Sequence, residues 1–307
     1  MSVALKGSNV MDDRLHFVHE CARPLRVKPG VVVDLLTDFD PAHTNCVPNQ
    51  SEAAKRLGEG VELLSEFQER LAAQDEVGVL LVLQGIDASG KDSTIKHIMS
   101  GVNPQGVEVR SFKQPSVEEL SHDWLWRYQR VLPERGRIGI FNRSHFEEVL
   151  VVRVHPELLA AQDGRKWSVD EGLWKRRFAQ INDWERHLVD SNVRVVKVFL
   201  NISKAEQAKR FRKRIDDLER NWKFSENDVK ERRYWDDYQY TFGEMLSNTS
   251  TEWAPWHVVP ADHKWYGRLA TATILIEALS EIDPKYPVVD DVTRQRMQTV
   301  RRGLLDE

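Results

Sequence analysis

Val77–Thr94 reads Val-Gly-Val-Leu-Leu-Val-Leu-Gln-Gly-Ile-Asp-Ala-Ser-Gly-Lys-Asp-Ser-Thr. An apolar run to Leu83, bounded by Gly78 and Gly85, is the pattern of a strand buried on both faces, as inside a parallel sheet. Gly85-Ile-Asp-Ala-Ser-Gly90-Lys91 follows, and then residues that suit the first turns of a helix. Strand, Gly-x-x-x-x-Gly-Lys loop and helix make a P-loop, whose backbone N–H groups cradle phosphate oxygens while the lysine neutralises their charge. Gly85, Ala88, Ser89, Gly90, Lys91, Asp92 and Ser93 are the expected phosphate-binding residues.

Two acids depart from the common loop. Asp92 stands where Ser or Thr usually follows the lysine and ligates magnesium. An acid in the first helical turn is also favoured by the helix dipole alone, so either role suits Asp92. Asp87 lies within the loop, where a carboxylate repels phosphate unless a divalent cation sits between them. Magnesium in such sites takes one or two carboxylates plus phosphate oxygens, and Asp87 is read as a ligand.

Composition narrows the class. At 307 residues, 41% apolar and 30% charged, the chain suits one large or two small globular units with a sizeable core. No apolar run approaches the ~18 residues that span a bilayer, and Met1–His16 lacks a secretory apolar core, so no membrane attachment is expected. Cys21 and Cys46 have no metal-ligand spacing and fit a reducing cytoplasm. A net charge of −4 argues against a general nucleic-acid binder and confines any polyanion site to a local basic patch.

Residues 1–50 carry four prolines and are expected to be irregular, with Val31–Leu36 as an edge strand or packing arm. Ser51 is expected to cap a first amphipathic helix. Strands are expected at Val107–Phe112, Gly136–Asn142, Val193–Leu200 and Trp256–Pro260. Helices are expected from Ser116 to Val131, Ser168 to Asp190, Ser203 onward, Glu226 to Ser247 and Lys264 to Ile282, followed by a polar tail. Alternating strands and helices with long crossovers give an α/β fold: a five-stranded parallel sheet with helices on both faces. Its ligands belong at the carboxyl ends of the strands.

Asn142-Arg143-Ser144-His145-Phe146-Glu147-Glu148 leaves one such end. Many P-loop enzymes place a magnesium-binding aspartate there, whereas Asn142 is uncharged. Arg143 can clamp phosphate oxygens bidentately. Glu147 or Glu148 can supply the missing carboxylate, with one of the two facing inward, and His145 reads as a packed histidine. Lys204–Arg214 carries six basic residues and one acid beside the apolar stripe Phe211, Ile215, Leu218. Arg210 and Arg214 share one face, the arrangement of a lid that brings arginines to a transferring phosphoryl group.

Gly-x-Asp-x-x-Gly-Lys in the loop, Phe-Asn-Arg-Ser at the third strand end and a basic helix after the fourth strand resemble the polyphosphate kinase 2 family. The likeness spans roughly residues 50–285. It implies a thymidylate-kinase-like P-loop kinase fold, a three-layer sandwich with a helical lid at about 204–240, between an N-terminal extension (1–50) and a C-terminal tail (286–307). It also implies magnesium-dependent phosphoryl transfer between inorganic polyphosphate and adenine nucleotides in a cytoplasmic homo-oligomer, a dimer or tetramer. The match carries Asp87, Lys91, Asn142 and Arg143 over as site residues, to which the lid adds Arg210 and Arg214. Where many members have Asp and then Trp-Tyr-Asn-Arg, this chain has Asn142 and His145-Phe-Glu-Glu, like the subgroup that phosphorylates both AMP and ADP. A small-metabolite kinase with a nucleoside triphosphate donor and a nucleotide-gated switch are the alternative readings.

Overall fold

The apolar run is strand β1 (Gly78–Gln84), buried along its whole length. In the computed structural model, which describes residues 13–159, 171–219 and 221–305, it lies at the centre of one sheet. With β2 (Val107–Ser111), β3 (Ile138–Asn142), β4 (Val193–Asn201) and β5 (Trp256–Pro260), the order is β2-β3-β1-β4-β5. All neighbours pair in parallel. The longer helices are α1 (residues 13–22), α2 (Gln50–Gln74), α3 (Lys91–Ile98), α4 (Glu171–Asp190), α5 (Lys204–Asp216), α6 (Glu226–Glu231), α7 (Trp235–Thr249), α8 (Lys264–Ile282) and α9 (Asp291–Gly303).

Side chains alternate across a strand, so β1 feeds two cores. Val79, Leu81 and Leu83 pack with α1, α2, α3 and α8, while Leu80 and Val82 pack with α4 and α7. Three layers result. The chain leaves β1 through α3 toward one edge of the sheet and leaves β3 through α4 toward the other. These neighbouring strands therefore open a crevice at their carboxyl ends, where such sheets bind ligands.

Several local expectations need correction. Asn49 caps α2 through Glu52 N, two residues ahead of the expected Ser51. The first 50 residues contain α1, and Val31–Leu36 is no strand, although Val33 and Leu35 are buried against the sheet. The capping box at Ser116 forms, but the helix stops at Leu120 and resumes only over Trp126–Gln129. Asp123 explains the break, because its side chain accepts from Leu125 N at 3.0 Å and closes an Asx turn. The helix expected from Glu226 to Ser247 divides at a 3-10 turn, Arg232–Tyr234. The tail contains the exposed helix α9. Cys21 and Cys46 form a disulfide across a Cα–Cα distance of 5.2 Å, so the expectation of two reduced thiols is not met. Their proximity is made by the packing of α1, and a separation of 25 residues carries no sign of it. The Ser168 cap lies outside the described residues.

One polar cluster is sealed inside the α4 layer. Lys197 of β4 and Glu185 of α4 are both fully buried, with Lys197 Nζ 2.5 Å from Glu185 Oε2 and 2.6 Å from Thr249 O. Burial lowers the Lys197 pKa, and Glu185 opposes the shift. Removing one partner of such a pair strands the other charge. Lys197→Ala is expected to cost about 3–5 kcal/mol, and Lys197→Met with Glu185→Gln clearly less. The midpoint of urea unfolding checks both, and equal losses would show that the charges are not coupled.

Candidate active site

The loop from β1 to α3 needs glycine where the backbone turns. Gly85 has φ +150°, and a Cβ there would stand 2.8 Å from both Leu200 O and Ser89 Oγ. Gly90 follows at φ +106° as the residue ahead of α3, and Ala88 takes the left-handed region at φ +64°. Lys91 is the first residue of α3 and folds back over the loop. Its Nζ donates to Gly85 O at 2.7 Å and Ile86 O at 3.3 Å. Burial, then the nearby Arg143 charge, lower the Lys91 pKa to about 8.

Arg143 leaves β3 in the left-handed region, φ +63°, which turns its side chain back toward β1. One guanidinium nitrogen pairs with Asp87 and another lies 3.3 Å from Glu147 Oε2. Glu147 and Asp87 thereby raise the Arg143 pKa against the effect of burial. Glu147 is positioned in turn by Gln84 Nε2, at 3.2 Å from both Glu147 Oε1 and Ser144 Oγ. Of the two adjacent glutamates Glu147 faces the crevice, while Glu148 is buried and meets Arg177 at 3.4 Å. His145 is packed as expected, fully buried with Nε2 3.3 Å from Glu185 Oε1, and burial lowers its pKa.

Asn142 does not point into open space. Its Nδ2 donates to Asp92 Oδ1 at 2.6 Å, joining the end of β3 to the first turn of α3. Ser93 Oγ accepts from Arg268 Nη2 at 2.8 Å, whereas Ser89 Oγ is buried with no hydrogen-bond partner.

The two lid arginines part company. Arg214 Nη1 lies 3.2 Å from Asp228 Oδ2, at the margin of the crevice. Arg210 is buried, and its guanidinium donates to Ala88 O (3.0 Å), Ser89 O (2.7 Å), Ala261 O and Asp262 O (3.2 Å). The cleft holds about 440 Å³, counting its solvent-open part, and is lined by Gln84, Asp87, Arg143, Glu147, Asp228 and Tyr238 among others. Burial and the Asp87 charge raise the Asp228 pKa. Gln84, Gln207 and Asp228 were not singled out from sequence. The available signals were a polar residue ending an apolar strand, a glutamine on the face of Arg210, and an acid in the first turn of α6.

Among the described residues no three His, Cys, Asp or Glu side chains form a ready-made metal cage. The donors that flank the loop are nevertheless all oxygen. Asp87 and Glu147 stand on either side of one guanidinium, and Asp92 is oriented by an amide. A hard cation that keeps water and takes phosphate oxygens needs no more than one or two of these, so the residues present fit magnesium.

A family model described as polyphosphate kinase 2 matches residues 48–287. The chain belongs to the polyphosphate kinase 2 family. An ADP-polyphosphate phosphotransferase from Rhodopseudomonas palustris is 44% identical over 289 residues, 92% of this chain and 98% of its own length. An AMP/ADP-polyphosphate phosphotransferase from Meiothermus ruber is 42% identical over 263 residues, 85% of this chain and 94% of its own. The crystal structure of a polyphosphate kinase 2 from Arthrobacter aurescens matches with a TM-score of 0.83 at 38% identity, over 92% of this chain and 97% of that one. This polyphosphate kinase 2 family member is accordingly an enzyme of the kinase class.

The Lys91 shift has a testable sign. Free enzyme loses the ammonium charge as pH rises through about 8, so kcat/KM is expected to fall on that alkaline limb. A bound phosphate favours the charged form, so kcat should fall later. In Lys91→Arg, whose charge persists beyond pH ~12, the residual activity should lose the limb. A limb unchanged in that variant would place the titration on another group.

Proposed function

We propose that the crevice transfers a phosphoryl group between inorganic polyphosphate and adenine nucleotides, and that it accepts both AMP and ADP. The observation that carries the reading is the Arg143 guanidinium set between Asp87 and Glu147 beside the Lys91 loop. Family membership and relatives named for ADP and for AMP/ADP support the substrate class.

In this reading the loop N–H groups and Lys91 hold a phosphate of the chain being cleaved. A terminal phosphate oxygen of the nucleotide attacks the end phosphorus in line, the new O–P bond forms, and the old anhydride P–O bond breaks toward the shortened polyphosphate. The attacking oxygen is already anionic, so no strong general base is required. Arg143 exchanges a carboxylate for the oxygens of the transferring group, and Arg214 adds charge from the lid. Asp87 and Glu147 would hold magnesium, which when bound neutralises phosphate charge. Residues 51–285 serve as the phosphotransferase unit, with 204–240 as its lid, in a homo-oligomer.

Lys91→Ala and Asp87→Asn are each expected to lower kcat/KM by about 3–4 kcal/mol of transition-state stabilisation, with the fold kept. Wild-type turnover in either would remove the loop from the mechanism. Arg214→Ala should raise the KM for polyphosphate more than Arg212→Ala, whose side chain is exposed. Equal small effects would make the basic run a solvated face.

Acceptor choice is tested at Asn142. With Asn142→Asp a carboxylate stands where an acceptor phosphate would approach the strand end, and like charges ~4 Å apart repel by roughly 4 kcal/mol at a near-surface dielectric before screening. The variant is expected to depress the AMP reaction more than the ADP reaction. The assay is purified protein with AMP, magnesium and polyphosphate, followed by nucleotide chromatography over time. ADP should appear first and ATP after it. Untouched AMP beside readily phosphorylated ADP would overturn the dual-acceptor reading alone.

A further inference from the structure

α5 carries six basic residues, yet the part of it that is buried turns inward on the phosphate loop rather than outward on the cleft. Gln207 Nε2 donates to Asp87 O at 2.9 Å. One turn later the Arg210 guanidinium takes Ala88 O at 3.0 Å and Ser89 O at 2.7 Å. Three successive loop carbonyls are thus held by two side chains spaced i, i+3 on one helix face. Both side chains are almost wholly buried, at 1% and 7% exposure. The grip is itself fixed from behind. Arg210 Nε donates to Glu206 Oε1 at 2.9 Å, and its Nη2 reaches Ala261 O and Asp262 O at the end of β5. Arg232 Nη1 donates to Gln207 Oε1 at 2.6 Å, which leaves the Gln207 amide nitrogen to face the loop.

The held carbonyls flank Ala88, a non-glycine residue in the left-handed region. That conformation rotates successive N–H groups to one side and their carbonyls to the other, which makes an anion-binding concavity. For a residue with a Cβ it is unfavourable unless the surroundings impose it.

We infer that Gln207 and Arg210 are positioning residues of the phosphate loop. They hold the carbonyls of residues 87–89 outward so that the N–H groups face the phosphate before any ligand arrives. Arg210 acts through the loop backbone and does not touch the transferring group. The inference rests on the reading that this loop holds phosphate.

Wild type, Arg210→Lys and Arg210→Gln are compared in two measurements. Hydrogen exchange of the ligand-free proteins reads the Ser89 amide, which closes the loop on Ile86 O at 3.0 Å, and calorimetric titration with inorganic tripolyphosphate and magnesium reads affinity. Lysine keeps the charge but cannot span four carbonyls. Both variants are expected to exchange this amide about tenfold faster or more, with α2 and α8 unchanged, and to bind tripolyphosphate about tenfold more weakly. Wild-type exchange in both, or near-wild-type affinity in Arg210→Lys alone, overturns the inference in favour of direct charge contact. If the Arg210 variants fail to fold, Gln207→Ala removes one neutral donor. Faster loop exchange there supports the inference and unchanged exchange overturns it. The exchange measurement uses no substrate, so its outcome stands whether or not polyphosphate proves to be the donor.

Discussion

A loop that turns its N–H groups toward a phosphate must turn its carbonyls away from it. Carbonyls turned into protein need donors of their own. Here the requirement is met residue by residue. Lys91 covers Gly85 O and Ile86 O, Gln207 covers Asp87 O, Arg210 covers Ala88 O and Ser89 O, and Thr94 N closes on Gly90 O at 2.9 Å. Those donors come from α3 and α5, the helices that follow β1 and β4, which are paired side by side at the centre of the sheet. The strand order therefore does more than place a crevice. It brings the helix that leaves β4 within reach of the loop that leaves β1.

The second requirement is charge balance. Asp87, Glu147, Asp228 and Glu231 line the cleft with Arg143, while Lys91 Nζ folds over the loop onto Gly85 O. Each acid is engaged by a donor. Arg143 serves Asp87 and Glu147, Arg214 serves Asp228, and Tyr238 donates to Glu231 at 3.0 Å. The cost of crowding still shows, since Asp228 is pushed up by burial and by Asp87, and the Tyr238 hydroxyl is pushed up by burial and by Glu231. A polyanion cannot enter such a space on the strength of Arg143 alone. It must arrive with cationic charge or displace carboxylates from their arginines, and oxygen donors freed in that exchange suit a hard cation.

What was legible in the sequence follows the same physics. Apolar runs, long in β1 and short in β5, marked the strands, because a strand covered on both faces tolerates few polar residues. Ser116 and Ser203 marked helix starts, because a cap is a local hydrogen bond to a fixed position. The break at Asp123 was lost because the same residue type can begin a turn or ride on a helix, and only the chain around it decides. The disulfide was lost because it depends on where α1 docks. For Arg210 and Arg214, helical spacing correctly put both on one face but could not say what that face meets. One reaches carbonyls and the other a carboxylate, since the face straddles the edge between loop and cleft.

Asn142 and Asp92 make the closing case that site residues are better read in pairs. In the common arrangement a hydroxyl follows the loop lysine and an aspartate ends the neighbouring strand. In this chain the acid has moved to the start of α3 and an amide ends β3, with a hydrogen bond of 2.6 Å between them. The pair still carries one negative charge, but that charge now sits in the first turn of a helix, where the dipole favours it. The strand end is left neutral, with an amide that gives one N–H to Asp92 and whose oxygen stays available. A phosphate approaching β3 therefore meets no fixed charge at Asn142. The feature that sets this strand end apart is a relocation of charge across the crevice, visible only when both positions are considered together.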